Sequence, residues 1–459
     1  MNKDALPEIA AIVGKDSILT AKEDCMCYSY DATNQKFLPE AVAFPLTTQQ
    51  IARIMLCANL HKIPVIPRGA GSGFVGGSLP VEGGIVLALT RMNRIVTIEP
   101  ANLTATVEPG VVTGDFQQEV EKVGLFYPPD PASLKFSTMG GNAAVCAGGP
   151  RCVKYGVTKN YILGLEVVLP TGEIIRTGVQ TLKGVAGYDL TSLFVGSEGT
   201  LGIITEITVK LIPLPPAKKC MLAIFPHIDD ATVTVSSIIQ ARITPATLEF
   251  IDQAAIRCVE DYLKIGLPTD AEALLLIEVD GDTETITKQS EHIKEICLQQ
   301  GAREVTIAHS KEEEEQLWKA RRSISPALLR LNPHKINEDI NVPISQIPEI
   351  VRRITKIAQK YKLINVNFGH AGDGNIHTNL MINRDNPEEL QRADQAVREI
   401  FEATLECGGT ISGEHGIGIT KAPYLEMEIG AQNRVFMERI KNLLDPNRIL
   451  NPGKLSLTS

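Results

Sequence analysis

The chain has 459 residues, 44% of them hydrophobic and 22% charged, which is enough for two or three soluble domains with full cores. A net charge of -9 argues against a nucleic-acid partner, because a phosphate backbone is met by a basic face. No apolar run approaches the ~20 residues of a membrane span, and Met1-Asn2-Lys3-Asp4 carries no apolar signal core, so the expectation is a cytoplasmic protein without a membrane span. The nine Cys are scattered and form no C-x-x-C pair, so they read as buried, reduced thiols rather than ligands of a metal cluster.

In chain order, residues 1–37 read as a helical lead-in followed by an irregular segment at Tyr28–Thr33. Thr47 and Gln50 fit a capping box, and Ile51, Ile54, Met55 and Ala58 recur at helical spacing behind it. An extended run, Ile63–Ile66, then enters Pro67-Arg68-Gly69-Ala70-Gly71-Ser72-Gly73-Phe74-Val75-Gly76-Gly77-Ser78, and a second extended run, Ile85–Leu89, follows. A loop so dense in Gly between strands lets backbone N–H groups turn inward around a phosphate or pyrophosphate. Gly71 to Gly76 match G-x-G-x-x-G by letters, but Gly77, Pro80, Gly83 and Gly84 leave no room for the helix that a Rossmann site needs. No Gly-Lys-Ser/Thr follows either, and a plain turn would lose much chain entropy for nothing.

Short strands are expected at Arg94–Glu99 and Thr104–Glu108, and a helix at Asp115–Val123. Beyond Tyr127–Pro131, the pairs Gly140-Gly141 and Gly148-Gly149 read as turns that bring backbone close to a flat or charged ligand. Ile162–Leu169 and Glu173–Arg176 form a hairpin about Pro170-Thr171-Gly172. Gly196–Gly202 is a third Gly-rich loop, with a strand at Ile203–Leu211 behind it, and Pro213, Pro215 and Pro216 mark a boundary.

From about Lys218 longer strands alternate with longer helices, as in an α+β domain. Ala273–Val279 reads as a buried strand and 285–300 as a helix. The charge run Lys311–Glu315 reads as the solvated start of the helix holding Trp318, and Ile347–Lys362 and Leu390–Glu406 as further helices. A strand at Leu363–Phe368 runs into Gly369-His370-Ala371-Gly372-Asp373-Gly374-Asn375-Ile376-His377-Thr378-Asn379. The Gly-Asp-Gly centre predicts a tight turn that brings His370 and His377 together, with Asn379 on the same side as His377. A second Gly-rich turn, Gly408–Gly418, holds Glu414 and His415. Two imidazoles and a carboxylate suit Zn, Fe or Mn and leave positions open for substrate. The bland alternative, a satisfied core or turn histidine, fits the solitary His61, His227, His292 and His309 better than these three.

Together the Pro67–Ser78 loop, Pro129-Asp130-Pro131, Gly140-Gly141-Asn142, Gly148-Gly149, Gly196–Gly202, Gly369–His377, Ser412–Gly418 and Asn451-Pro452-Gly453-Lys454 resemble the FAD-linked D-2-hydroxyacid dehydrogenases of the vanillyl-alcohol-oxidase-type flavoprotein superfamily, of the glycolate oxidase subunit and D-lactate dehydrogenase type. The resemblance runs nearly end to end. It implies an α+β fold: a two-part FAD-binding domain over 1–217, a cap or substrate domain with a metal site over 218–425, and a C-terminal segment 426–459 returning to the FAD domain. It implies that Pro67, Arg68, Gly69, Ala70, Gly71, Ser72, Gly73, Gly76, Gly77 and Ser78 cradle the FAD pyrophosphate. Pro131, Ser133, Thr138, Gly141, Asn142, Ala144, Gly148, Gly149, Tyr155, Glu198, Gly202, Ile203 and Asn451 then follow the rest of the cofactor. No His lies between Pro67 and Ser78, so FAD is expected to be non-covalent.

By the same resemblance His370, His377 and Glu414 hold a divalent metal, with Asn379 and His415 near the substrate. Arg321, or its neighbour Arg322, binds the substrate carboxylate, with Ser325 and Lys335 as further contacts. The implied reaction oxidises a small D-2-hydroxy acid to the 2-oxo acid, with His415 as base, hydride to flavin N5 and electrons passed to an iron–sulfur or electron-transfer-flavoprotein subunit. D-lactate is the favoured substrate, with glycolate and D-2-hydroxyglutarate as alternatives. Two other classes stay open: an FAD-binding electron-transfer subunit, whose flavin 2-hydroxy acids would not reduce unaided, and a colourless metal-dependent hydrolase or lyase.

Overall fold

The computed structural model describes residues 5–457, so the reading of Met1-Asn2-Lys3-Asp4 lies outside the described residues. The chain divides into two compact units that are interleaved in sequence. The first gathers the chain up to Gly148, Val157–Leu214 and everything from Glu414 onward; the second gathers Gly149–Gly156 and Pro215–Gly413.

In the first unit, α1 (Ala5–Val13) packs on α2 (Thr48–His61). Thr47 caps α2 through its hydroxyl, which accepts from Gln50 N–H at 3.2 Å, while Gln50 Oε1 accepts from Leu46 N–H at 2.7 Å. The buried face of α2 (Ile51, Ile54, Met55, Ala58) covers a small sheet. That sheet contains β1 (Ala41–Ala43), β2 (Val65–Arg68) and β3 (Ile85–Ala88), with β3 parallel to both of the others. The Gly-rich loop is the connection between β2 and β3, and no helix opens on it. A second, antiparallel sheet has the order β4 (Ile95–Glu99), β5 (Thr104–Val107), β8 (Ile203–Lys210), β6 (Ile162–Val168), β7 (Ile174–Gly178). Helix α3 (Thr113–Glu121) begins two residues before the sequence suggests.

One expectation fails locally. Gly140-Gly141 is not a turn but the first turn of helix α4 (Met139–Val145), capped by Thr138, whose hydroxyl accepts from Gly141 N–H at 3.3 Å. Gly140 is small for a packing reason instead, since a Cβ there would collide with Pro109.

The second unit is built on a seven-stranded antiparallel sheet. Its order is β12 (Glu304–Ile307), β9 (Ala217–Phe225), β11 (Ala273–Gly281), β10 (Thr247–Asp252), β14 (Ile364–Gly369), β15 (Asn375–Ile382), β13 (His334–Asn341). Helices α5 (Ile228–Gln240), α7 (Thr283–Gln299), α10 (Ile347–Lys360) and α11 (Pro387–Glu406) pack on strands of this sheet. The face bearing Ile251, Leu274, Val366, Phe368 and Met381 is instead covered by α6 (Gln253–Leu263), the end of α8 (Lys311–Arg322) and α9 (Ile324–Leu328) in one apolar cluster. Side chains alternate along strands, so registry puts Glu249, His377, Asn379, Lys335 and Asp339 on this same face. After Gly413 the chain re-enters the first unit and ends there with α12 (Leu425–Leu444), broken at Gly430. Among the described residues no helix is long and apolar enough to cross a membrane.

Candidate functional site: a glycine-lined cleft and a buried histidine pair

The cleft lies wholly within the first unit and encloses about 1290 Å³, part of it open to solvent. Pro67 to Ser78, Gly76 excepted, line it. So do Pro131, Ser133, Thr138, Gly141, Asn142, Ala144 and Gly148, then Glu198, Gly202 and Ile203, and finally Glu414 and His415. The backbone explains the glycines. Gly71 has φ +69°, and a Cβ on it would strike the Arg68 guanidinium, whereas a Cβ on Gly73 would meet nothing within 4 Å. Gly73 therefore offers bare backbone to open space, the geometry a pyrophosphate needs. Arg68 is buried beside the loop, its Nη2 donating to Tyr30 O at 2.7 Å and its Nη1 to Ser78 Oγ at 3.3 Å.

Glu198 closes the cleft by a clasp. Its backbone is left-handed (φ +53°), and its buried carboxylate accepts from Ile417 N–H at 2.7 Å and Gly418 N–H at 2.8 Å. Burial pushes that carboxyl up in pKa, and the two amides only partly oppose it. Asn451 ties the clasp to the first loop, its Nδ2 donating to Gly77 O at 2.9 Å and Glu198 O at 2.8 Å. Gly76 serves packing, because a Cβ there would collide with Ile419. The His415 ring stacks on Phe74 with centroids 4.9 Å apart. Gly149 and Tyr155 belong to the second unit, where Tyr155 OH donates to Asp280 Oδ2 at 2.7 Å beside the Lys154–Asp280 ion pair.

In the second unit β14 ends at Gly369 and the chain turns through His370, the single turn Ala371–Asp373 and Gly374 into β15. Gly374 has φ +89°, and a Cβ there would collide with Val342 O, so the turn demands Gly. The result places the His370 and His377 Nε2 atoms 3.5 Å apart, both buried, with their ring planes at 88°. Two imidazoles bound to one tetrahedral ion at about 2.1 Å would hold their nitrogens about 3.4 Å apart. The pair thus fits a metal without rearrangement. His370 Nδ1 lies 2.6 Å from Glu249 Oε1; donation of Nδ1–H there turns the Nε2 lone pair toward His377. Arg321 Nε donates to Glu249 Oε2 at 2.6 Å, and its guanidinium lies 4.8 Å over the Phe368 ring. Burial pushes the Glu249 carboxyl up, but His370 and Arg321 outweigh it and hold the group below the usual carboxylate range.

Lys335 and Ser325, ten residues apart in sequence, meet with Nζ to Oγ at 2.6 Å, and burial pushes the Lys335 amine down to about 8. Asn379 is buried two residues along β15 from His377, its Nδ2 donating to Val366 O at 3.4 Å. Arg322 is solvent-facing and pairs with Glu315. Sequence reasoning missed Glu249 and Asp339. Asp339 accepts from Asn375 Nδ2 at 2.6 Å and Ser412 Oγ at 3.3 Å, and lies 4.0 Å from His377 Nδ1. The signal for Glu249 was present: one acid inside the apolar run Leu248-Glu249-Phe250-Ile251 must find partners if that run is a buried strand.

Comparison with known proteins agrees with this geometry. Residues 214–455 match the family model "FAD linked oxidases, C-terminal domain", and residues 39–178 match an FAD binding domain. The chain is 50% identical to glycolate oxidase subunit GlcD of Bacillus subtilis (strain 168) over 456 residues, covering 99% of this chain and 97% of that one. It is 37% identical to D-lactate dehydrogenase of Anaerostipes hadrus over 429 residues, 92% of this chain and 90% of the relative. Among solved structures, p-cresol methylhydroxylase superposes with a TM-score of 0.82 at 21% identity, covering 98% of this chain and 96% of the other, which speaks to the fold alone.

Proposed function

The chain belongs to the FAD-linked oxidases and is an FAD-dependent oxidoreductase, and from that premise we propose that it oxidises a small 2-hydroxy monocarboxylate to the 2-oxo acid, glycolate ahead of D-lactate. Sequence motifs alone favour D-lactate; the 50% identity to a glycolate oxidase subunit, against 37% to a D-lactate dehydrogenase, moves the weight to glycolate. In this reading the first unit holds FAD and the second receives the substrate.

The observation that carries the substrate class is Lys335. Its ammonium stands against the neutral Ser325 hydroxyl, and burial alone lowers its pKa to about 8, so a carboxylate brought by a ligand stabilises its charge. Arg321, from the helix that covers the same sheet face, is a second cation, its Nε held by Glu249.

His370 and His377 supply two imidazoles for a divalent cation; Zn, Fe and Mn all accept such donors. The Gly-rich loop holds the FAD pyrophosphate and the cleft behind it the rest of the cofactor. When bound, FAD supplies a two-electron acceptor and the cation supplies Lewis acidity. Arg321 and Lys335 fix the carboxylate, Asn379 orients the hydroxyl, and the His415 imidazole takes the hydroxyl proton. The electrons leave to a partner protein, and the setting is the cytoplasm, where the thiols stay reduced.

Turnover with a dye as electron acceptor tests the substrate class. Glycolate and D-lactate should be oxidised, with D-2-hydroxyglutarate and the neutral analogue glycolamide far behind. Lys335→Met should raise KM for glycolate more than it lowers kcat. Equal turnover of glycolamide and glycolate would refute carboxylate recognition.

A further inference from the structure

His61 looks solitary in the sequence, but the fold gives it company. It sits at the end of α2, one turn beyond Cys57, so both side chains share one helix face, and Glu8 approaches from α1. His61 Nε2 lies 3.5 Å from Glu8 Oε2, and the Cys57, His61 and Glu8 donor atoms all lie within 4.8 Å of one another. We propose that these three side chains bind one thiophilic divalent cation, zinc by donor preference, which staples α1 to α2.

The chemistry of the set argues for this class. Sulfur, imidazole and carboxylate together suit Zn²⁺, whereas Mg²⁺ and Ca²⁺ take oxygen alone. Zinc bonds of about 2.0–2.3 Å would draw the three donors to roughly 3.3–3.8 Å apart. Glu8 can supply that movement, because half of its side chain is exposed, whereas Cys57 is fixed in the core at 2% exposure. The exposed side of Glu8 also leaves the fourth position to water. A thiol ligates as its thiolate, so binding releases the Cys57 proton to solvent as the sulfur–metal bond forms. The staple would lie at the root of the cradle. From His61 the chain passes through Lys62, Ile63 and Pro64 directly into β2 and the Gly-rich loop.

The test uses the full-length, FAD-loaded protein, stripped with a chelator and titrated with Co²⁺ against a flavin-only baseline. Thiolate ligation gives an intense sulfur-to-cobalt charge-transfer band in the near ultraviolet. The His370–His377 pair has no sulfur and cannot produce it. In His370→Ala, which lacks the other metal site, the band should persist and saturate at one equivalent; it should vanish when Zn²⁺ is added and be lost in both Cys57→Ser and His61→Gln. Cys57 is in the core, so His61→Gln guards against a folding failure; in the His370→Ala background Zn²⁺ should raise Tm, and adding His61→Gln should remove that rise. No thiolate band in the wild type, or one that survives His61→Gln, would overturn the proposal.

Discussion

Lys335 gives the proposed function a pH signature. Its amine is protonated below about 8, so carboxylate binding should be strong below that value and fade above it. We expect kcat/KM for glycolate to fall on the alkaline side with an apparent pKa near 8. In kcat the same limb should lie higher, because bound substrate stabilises the ammonium. Lys335→Arg should remove the limb while retaining activity, and Lys335→Met should lose roughly 10–150-fold in kcat/KM, the worth of one charged hydrogen bond. A flat profile in the wild type would contradict this role. Glu249 carries a second prediction. Glu249→Ala leaves Arg321 buried without its carboxylate and should cost ~3–5 kcal/mol in denaturant unfolding. Glu249→Gln should keep the fold but weaken metal retention by about 10–100-fold, measured by chelator competition. The histidines were legible because their spacing and Gly-rich setting are local. Glu249 was not, because its partners are 72 and 121 residues away and only the sheet brings them together.

The loop and the hairpins are where sequence and structure agree most closely, for a physical reason. Glycine positions record backbone constraints that no other residue satisfies, so Gly71 and Gly374 announce their turns. Gly140 shows the limit of that reasoning: its smallness serves contact with Pro109 inside a helix, and a sequence does not separate close approach from a turn. The difference between Gly71 and Gly73 is testable. Gly71→Ala should strain the loop and lower both Tm and FAD retention. Gly73→Ala meets nothing within 4 Å and should leave Tm unchanged while weakening FAD binding, by equilibrium dialysis of the reconstituted protein. If Gly73→Ala binds FAD normally, the phosphate role of this stretch fails. In the second unit, Asp252 joins two elements: Oδ1 accepts from Ala255 N–H at the start of α6, and Oδ2 from Asn367 N–H on β14 at 2.6 Å. Asp252→Ala should destabilise by about 2–4 kcal/mol, from a lost cap and an orphaned buried amide.

At the scale of the whole molecule, the interleaving of the two units escapes a linear reading. The chain changes unit near its Pro-rich stretch at 213–216, and it returns at Glu414, inside a continuous Gly-rich turn that carries no boundary signal. Gly149–Gly156 belongs to the second unit through contacts such as Tyr155 with Asp280, which composition cannot reveal. The family was legible because its motifs are spread along nearly the full length, so agreement at many places compensates for the weakness of each. The preferred acid was less so, because it depends on the size and donors of a pocket that only the folded chain assembles, not on a local motif. The central claim is that a glycine-lined FAD cleft and a histidine-held metal jointly oxidise a 2-hydroxy monocarboxylate. It is tested most directly by titrating the purified, FAD- and metal-replete protein with glycolate in the absence of oxygen while recording the visible spectrum. The account predicts that the flavin bands bleach with glycolate and with D-lactate, and that His370→Ala keeps its flavin but fails to bleach. A fully loaded protein whose flavin no 2-hydroxy acid reduces would contradict it.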